Sequence, residues 1–477
     1  MEGLSSGSKR RALIEVGVSS EVGHILPKIQ DRLLDAFRQL DGAMTALRYG
    51  TVPVERISDA TARSCKVKHI VIEDAPGQPD PPQAGQKLYL FECHWELIVY
   101  VLSDADVGQE MVAVDGAEAG ESNMPACQQW TMPHRDYLGL WEALMYEGIL
   151  KQDLLSYANA ALLFSDKGVD PQVVSFNRVL LLHGPPGTGK TSLCKSCKAL
   201  AQKLSVRLQH RYSDSQLIEI NSHSLFSRWF SESGKLVTKL FTRIRSLVSD
   251  PDSFVCVLID EVESLTAARR SGGNEPSDAI RVVNALLTQI DSLKHYTNTL
   301  VLTTSNITGA IDLAFVDRAD FKAYVPNPSL NCRYEIIRSA VHELVSKGVL
   351  VGSRSVPRFS HSFLESEAAP MDVHGTQQQQ QYQQSFRSAN EWRDFNSPET
   401  WGRWLAYIAS LCEDFSGRAL RKLPFQAFII QGEVVGVADF LAALEQATRK
   451  EISARTSVDE GTTDMSRRTT ASGREST

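Results

Sequence analysis

The chain has 477 residues, of which 42% are hydrophobic and 22% are charged, and its formal net charge at pH 7 is −7. This length suits roughly three domains, and the composition is that of ordinary folded domains. The negative balance argues against a general binder of nucleic-acid phosphates, and no apolar run is long enough to span a bilayer.

The beginning of the chain predicts an intracellular protein with no chemistry in its first region. Residues 1–5 lack the apolar segment of a signal peptide, so we expect the eight cysteines to be reduced. Residues 69–73 and 86–102 have the composition of strands, and the proline-rich stretch between them is a loop. These features predict an α+β module that presents a surface rather than performing chemistry.

A helix is predicted next, because apolar side chains recur at helical steps over residues 141–164. Leu163 and Phe164 at its end have two interpretations. They are compatible with a wall for an adenine ring and, equally, with ordinary core packing.

The strongest motif follows an apolar strand over residues 178–183 and precedes a helix over 192–204. It matches the phosphate-loop pattern, and its residues are Gly184, Pro185, Pro186, Gly187, Thr188, Gly189, Lys190 and Thr191. The glycines let successive N–H groups turn toward an anion, and the following helix points its N-terminus at the same place. Lys190 would contact the β- and γ-phosphates, and Thr191 would ligate Mg²⁺. The motif therefore predicts binding of ATP and Mg²⁺.

Two further apolar strands end in polar side chains, as expected of buried parallel strands that meet a ligand at their carboxyl ends. The run over 253–261 ends in Asp260 and Glu261, and the run over 299–306 ends in Asn306. We expect Asp260 to hold Mg²⁺, Glu261 to polarise the water that attacks the γ-phosphate, and Asn306 to orient that water. The alternative for Asn306 is a turn residue at a strand end.

The order of these motifs, with an amphipathic helix over 281–291 between the two strands, resembles that of AAA+ ATPases over residues 134–450. The chain is more closely similar to the pachytene checkpoint protein 2 family, also called the thyroid receptor-interacting protein 13 family. The residues that carry this likeness are 224–235, 260–265 and 314–320.

The resemblance implies an α/β fold in several parts. It consists of an N-terminal α+β recognition domain for substrate or adaptor (1–133), an AAA+ P-loop core with a parallel sheet (134–328) and a small helical lid (329–450). The lid contains an insertion, 351–398, whose glutamine-rich tract is too polar to build a core, so we expect it to be disordered. Residues 451–477 are expected to form a flexible tail.

The resemblance also implies a function. Members of this family form homo-hexameric rings that hydrolyse ATP to unfold or remodel HORMA-domain proteins, with the help of an adaptor, in meiotic chromosome and checkpoint control. It implies a nuclear or chromosomal location, with the cytoplasm as a second compartment, and neither membrane nor direct nucleic-acid binding. The competing hypotheses are a nucleotide-gated scaffold that binds ATP without remodelling its partners, and a nucleic-acid motor, which the acidic balance disfavours.

Further site residues follow from the resemblance alone. Trp229 and Phe230 match the first pore loop, where aromatic side chains grip an extended peptide. Arg418, in a Ser-Gly-Arg run, matches the second sensor of the lid and would contact the γ-phosphate.

The arginine finger is less clearly marked. Many AAA+ relatives carry two arginines in this turn, whereas residues 317–320 read Asp-Arg-Ala-Asp. Arg318 is the best candidate for a finger that completes the neighbouring subunit's site, and Arg269 and Arg270 are the alternatives.

Overall fold

The computed structural model describes residues 9–75, 86–112, 124–170, 173–185, 190–221, 233–263, 276–306, 313–352, 356–360 and 397–472. They belong to two compact units. The first lies within Met1–Leu144 and Gly148–Val325, and the second within Met145–Glu147 and Pro326–Thr477.

The first unit opens with a small mixed sheet in the order β3-β4-β1-β6 and a separate two-stranded pair, β2-β5. The strands are β1 (Arg10–Val18), β2 (Leu47–Arg48), β3 (Gly50–Thr51), β4 (Val67–Asp74), β5 (Lys87–Leu88) and β6 (Cys93–Val101). Strand β1 runs antiparallel to β4 and parallel to β6. Because side chains alternate along β1, Ile14 and Val16 enter one core, which helix α1 (Leu26–Gly42) covers with Leu33 and Phe37. A short helix, α2 (Asp59–Ser64), follows.

A seven-stranded sheet, in the order β13-β9-β12-β11-β10-β8-β7, forms the rest of this unit. Its strands are β7 (Gly108–Val112), β8 (Met124–Thr131), β9 (Val179–His183), β10 (Asp214–Asn221), β11 (Ser253–Asp260), β12 (Thr299–Ser305) and β13 (Phe321–Tyr324). The five strands from β13 to β10 are parallel, as predicted. Strands β8 and β7 extend the edge in antiparallel fashion, although both precede the predicted domain boundary at residue 133.

Helices cover the large sheet on both faces, which is why its central strands are apolar along their whole length. They are α3 (Leu140–Ala143), α4 (Leu150–Asp166), α5 (Lys190–Arg207), α6 (Ser233–Val248), α7 (Pro276–Leu293) and α8 (Leu313–Val316). Phe241 of α6 and Leu286 of α7 join Val257 of β11 in one buried core. The strands and helices predicted around the phosphate loop are therefore present.

Helix α5 packs against both the large sheet and the small sheet. Its later turns lie against the face of the small sheet that α1 leaves open, where Val206 packs on Tyr100 and Leu102. Gly17 makes room for this contact, because a Cβ atom there would lie 2.9 Å from the Tyr100 ring. Just beyond the helix, Gln209 Nε2 donates to the Val99 carbonyl at 3.0 Å.

Two basic residues of α5 contact two acids of the small sheet, and one of them also contacts an acid of α3. We call Glu15, Glu73, Glu142, Lys203 and Arg207 the buried ion cluster. Lys203 Nζ lies 2.6 Å from Glu15 Oε2, 3.0 Å from Glu73 Oε2 and 3.6 Å from Glu142 Oε1, and its side chain is 4% exposed. Arg207 Nε contacts Glu15 Oε1 at 3.1 Å, and its Nη2 contacts Glu73 Oε2 at 2.7 Å. Attraction between the opposite charges offsets the free-energy cost of removing each of them from water. Loss of one member would therefore leave a buried charge without full compensation.

The second unit is the helical lid that the sequence predicts. Its helices are α9 (Leu330–Ser346), α10 (Pro398–Leu411), α11 (Gly417–Gln431) and α12 (Val437–Ser472). Trp404 of α10 is fully buried in the core, and its indole Nε1 donates to Glu445 Oε2 at 2.9 Å. Ser416 caps α11 by accepting from the Ala419 N–H at 3.2 Å.

Two segments that the sequence predicts to be flexible are, at least over part of their length, helical or packed in the structure. Helix α12 continues to Ser472 instead of giving way to a tail at residue 451, because proline is absent from this stretch and Arg455 pairs with Glu451 one turn away at 3.1 Å. Residues 356–360 at the start of the predicted insertion pack on α9, where Phe359 meets the ring of Tyr334. The glutamine-rich tract lies outside the described residues.

Candidate nucleotide-binding site

The polar ends of the parallel strands meet at one edge of the large sheet. Ser305 is in register with His183, which precedes the phosphate loop, and Asn221 of β10 is in register with Asp260. The Gly184 N–H donates to the Ser305 carbonyl at 3.2 Å, which ties the start of the phosphate loop to the end of β12. The site residues predicted from three separate strands thus share one edge.

The phosphate loop joins β9 to α5, as the motif requires. The structure describes Gly184 and Pro185, and α5 begins at Lys190. Residues 186–189 and the side chains of residues 190 and 191 lie outside the described part of the chain. The roles of Lys190 and Thr191 therefore stay predictions.

Thr304 organises the acidic end of β11. Its buried hydroxyl accepts a hydrogen bond from the Glu261 N–H at 3.2 Å and donates one to Asp260 Oδ1. Its carbonyl accepts from the Val262 N–H at 3.0 Å. No sequence pattern predicted a role for Thr304, although it stands two positions before Asn306 in the run that ends β12.

Glu261 has a backbone φ of +60°, which is uncommon for a residue with a side chain. The hydrogen bonds from its own N–H and from that of Val262 to Thr304 hold this conformation. Left-handed residues fixed in this way concentrate at functional sites. The turn directs Glu261 away from the path that β11 would otherwise continue.

Asp260 lies among other acids. Burial, together with the charges of Glu261, Glu219 and Glu263, raises the pKa of Asp260 to about 6, against a lowering influence from the Thr304 hydrogen bond. A cation at this position would relieve that accumulation of negative charge. The acids are therefore suited to a divalent ion.

The donor atoms at this position favour a hard cation such as Mg²⁺. Ligand atoms of Cys194, Glu219 and Asp260 lie within 4.8 Å of one another. Burial and the nearby charge of Glu219 raise the pKa of the Cys194 thiol well above its ordinary range, so it stays protonated and is a poor metal ligand. The remaining ligand atoms are the carboxylate oxygens of Glu219 and Asp260, and Mg²⁺ prefers oxygen ligands.

Asn306 is buried at the end of β12, but its described partner is an acid other than Glu261. Its Nδ2 donates to Glu263 Oε1 at 3.1 Å. Glu263 lies two residues after Glu261 and was not predicted as a site residue. The predicted contact of Asn306 with the attacking water stays a prediction.

Arg318 is held by an acid of its own chain. Its Nε lies 3.1 Å from Asp291 Oδ1 and its Nη2 lies 2.8 Å from Asp291 Oδ2, while Nη1 donates to the Ala314 carbonyl at 2.7 Å. Burial alone would raise the pKa of Asp291, yet hydrogen bonds from Arg318 and Lys294 lower it. The guanidinium thus has a fixed direction, and its action on a neighbouring subunit remains a prediction.

The acid at the end of the same turn has a structural role. Asp320 accepts hydrogen bonds from the N–H groups of Asn177 at 2.8 Å and Arg178 at 2.7 Å, and from the Tyr157 hydroxyl at 3.0 Å. These bonds anchor the turn to the start of β9.

The remaining predicted residues lie elsewhere. Arg418 has an exposed side chain in the first turn of α11, within the second unit. Trp229 and Phe230, and the alternative fingers Arg269 and Arg270, lie outside the described residues.

The adenine-wall interpretation of the end of α4 is wrong. Phe164 packs edge to face on Phe176, with ring centroids 5.8 Å apart. Phe176 precedes β9, whereas the phosphate loop follows it, so the two lie at opposite ends of that strand. Leu163 is 53% exposed and Phe164 is 38% exposed, so neither fills a core.

A phosphate-loop motif between a parallel strand and a helix, paired acids at the end of a second strand and a separate helical unit define an ATPase of the AAA class. Models of protein families agree with this. The model described as "ATPase family associated with various cellular activities (AAA)" matches residues 180–327. The model described as "TRIP13-like, AAA+ ATPase lid C-terminal domain" matches residues 329–452.

Whole-chain comparisons define the family more narrowly. The chain is 47% identical over 421 residues to the pachytene checkpoint protein 2 homolog of Oryza sativa subsp. indica, covering 86% of this chain and 81% of that protein. It is 43% identical over 379 residues to the Homo sapiens homolog, covering 78% and 79%. The solved structure of C. elegans PCH-2 matches with a TM-score of 0.67 and 31% identity, covering 93% of this chain and 100% of that one. The chain belongs to the pachytene checkpoint protein 2 family of AAA ATPases.

Within the part of the chain that the structure describes, none of the helices has both the length and the apolar character needed to cross a bilayer.

Proposed function

We propose that this chain hydrolyses ATP with Mg²⁺ as a homo-hexameric ring and uses the energy to unfold or remodel HORMA-domain proteins, with an adaptor, in meiotic chromosome and checkpoint control. The proposed location is the nucleus and its chromosomes. The observation that carries the ATPase part is the Thr304 hydroxyl, which bonds both Asp260 and the backbone of Glu261 at the sheet edge beside the phosphate loop. Family membership supports the choice of substrate and the ring.

The proposed reaction is in-line attack of water on the γ-phosphorus. Lys190 and the N-terminus of α5 bind the phosphates, while Thr191 and Asp260 would hold Mg²⁺. Bound Mg²⁺ supplies neutralisation of charge on the β- and γ-phosphate oxygens. Glu261 accepts a proton from the water as its oxygen bonds to phosphorus and the bond to the bridging oxygen breaks, which yields ADP and phosphate.

Three further groups complete the proposed cycle. Arg418 contacts the γ-phosphate from the lid, and Arg318 stabilises the transition-state charge in a neighbouring subunit. Trp229 and Phe230 grip the extended substrate in the pore.

The test is steady-state ATP hydrolysis by wild type and by Glu261→Gln, each with and without a HORMA-domain protein and its candidate adaptor. We expect the variant to bind ATP normally and to lose at least about 100-fold in turnover, since a general base contributes that much or more. Wild-type turnover should rise with the HORMA-domain protein.

Two outcomes would contradict the proposal at different points. Unchanged turnover in Glu261→Gln would remove this residue from its role. Nucleotide binding without hydrolysis by the wild type under every condition would favour the nucleotide-gated scaffold.

A further inference from the structure

Glu263 and Asn306 form a buried pair that the proposed reaction does not yet use. Glu263 is 8% exposed and Asn306 is 4% exposed, and the hydrogen bond from Asn306 Nδ2 to Glu263 Oε1 measures 3.1 Å. Glu263 lies close enough to Asp260 for its charge to raise the pKa of that aspartate. The pair therefore belongs to the surroundings of the proposed metal and water.

The carboxylate decides which end of the amide faces outward. A carboxylate only accepts hydrogen bonds, so the nitrogen of Asn306 must face Glu263. The carbonyl oxygen, Oδ1, then points away from Glu263. A neutral partner with both a donor and an acceptor would allow the amide to turn over.

Two oxygens of the pair have no hydrogen-bond partner among the described residues, namely Asn306 Oδ1 and Glu263 Oε2. Buried polar atoms rarely lack a hydrogen-bond partner, so we expect each of these two oxygens to accept a hydrogen bond in the working site. A water molecule between the strand end and bound phosphates would supply such a donor.

We propose that Glu263 is a positioning residue that orients the amide of Asn306, so that Oδ1 accepts a hydrogen from the attacking water. This inference rests on the proposed ATPase function. The orientation matters because an acceptor leaves the oxygen lone pair of water free to attack phosphorus. A turned amide would donate N–H to that lone pair and hold it back from the reaction.

The test is a double-mutant cycle with Glu263→Gln and Asn306→Ala, in which kcat, the KM for ATP and nucleotide affinity are measured. Loss of a supporting partner costs about 10- to 100-fold in activity at comparable sites. We expect Glu263→Gln to lower kcat by about tenfold with the KM within twofold of wild type. The double variant should be no slower than Asn306→Ala alone, because Glu263 acts only through Asn306.

Controls separate positioning from folding. Glu263→Met keeps the volume and removes every hydrogen bond, so it should lower kcat at least as far as the Gln variant. Glu445→Gln changes another buried glutamate that accepts from a side-chain N–H, and it should shift the thermal midpoint without lowering kcat. All variants are compared by thermal unfolding before their kinetics are interpreted.

The outcomes are distinguishable. Wild-type kcat in Glu263→Gln, or independent losses that multiply in the double variant, would overturn the inference while leaving the proposed function intact. Wild-type kcat in Asn306→Ala would instead remove Asn306 from the proposed function, and the inference with it.

Discussion

Thr304 shows how an uncharged side chain holds an acidic site together. Its hydroxyl accepts a hydrogen bond from the Glu261 N–H and donates one to Asp260. The bond to Asp260 favours the charged carboxylate, which is the form that binds a metal ion. The bond to Glu261 supports a strained backbone, so one atom serves both acids.

Thr304→Val should damage the site without greatly changing its shape. Removing the hydroxyl takes away one hydrogen bond of the Glu261 N–H and one of Asp260 Oδ1, which costs about 1–3 kcal/mol. We expect kcat to fall about tenfold or more and Mg²⁺-dependent nucleotide binding to weaken. Steady-state kinetics and calorimetric titration with ADP and Mg²⁺ measure the two effects.

Thr303→Val is the matched control. The Thr303 hydroxyl is equally buried, but it donates to the Leu180 carbonyl within the sheet at 2.9 Å. This control should lower the thermal midpoint and leave nucleotide binding unchanged. Equal kinetic losses in the two variants would show that Thr304 has no special role at the site.

Sequence patterns predicted the site residues at strand ends better than the partners of those residues. Asp260 and Glu261 were visible because two acids ended an otherwise apolar run. Thr304 was not, because threonine is common in strands for reasons of shape alone. The pairing of Asn306 with Glu263 depends on how two adjacent strand ends meet, which spacing along the chain does not reveal.

At the scale of elements, α5 explains why the small and large sheets form one unit. The helix starts at the phosphate loop and ends in the buried ion cluster, about 27 Å away at the usual rise per residue. The sequence predicted a helix here, but it did not predict the burial of Lys203 and Arg207. Basic residues on a helix normally indicate a face exposed to solvent. Only the structure shows that they meet Glu15 of β1 and Glu73 of β4.

The pH dependence of stability should reveal the buried ion cluster. Burial opposes the charge of Glu73, but Lys203 and Arg207 outweigh it and lower the pKa of Glu73. A lowered pKa in the folded protein gives stability that is present above the unfolded value and is lost as pH falls through the folded value. Glu73→Gln should therefore lose about 1–3 kcal/mol at neutral pH, and its deficit should shrink on acidification below about pH 5.

Thermal unfolding of wild type and Glu73→Gln from pH 7 to about pH 3, well below the ordinary pKa of glutamate, measures this convergence. Glu96→Gln is the matched control, because Glu96 is an exposed glutamate on β6 of the same sheet. The control should follow the wild type at every pH. A deficit of constant size in Glu73→Gln would show that its carboxylate charge is not the stabilising feature.

At the scale of the whole molecule, the predicted AAA+ core and helical lid are present. Strands β7 and β8 were not predicted in the large sheet. Strand β7 lies at the edge of the sheet with β8 next to it, and polar residues such as Gln128 and Gln129 of β8 interrupt the apolar run that marks the central strands.

The proposed ring predicts that inactive subunits complement one another. Arg318→Ala should keep nucleotide binding and lose about 1,000-fold or more in turnover, as expected of an arginine finger. Lys190→Ala should lose the phosphate contact. If Arg318 acts in trans, mixed rings contain sites with an intact Lys190 beside a neighbour with an intact Arg318, so mixing the two variants should restore activity.

The measurement is ATP hydrolysis by each variant alone and after mixing under conditions of subunit exchange, with native mass spectrometry to establish ring formation. Arg318→Lys is the control that keeps the positive charge but cannot form the bidentate pair with Asp291. Its ATP turnover should stay well below that of the wild type. Mixed rings that form but remain inactive would contradict a trans-acting Arg318.

The buried ion cluster also limits how the modules of this chain can be exchanged. A foreign N-terminal domain fused ahead of the large sheet would leave Lys203 and Arg207 buried without Glu15 and Glu73, and removal of the small sheet would expose the face that carries Val206. A successful chimera must therefore either supply carboxylates in place of Glu15 and Glu73 or replace both basic residues with apolar ones. The first helix after the phosphate loop thus makes the N-terminal sheet an integral part of the unit that carries the nucleotide site rather than an interchangeable attachment.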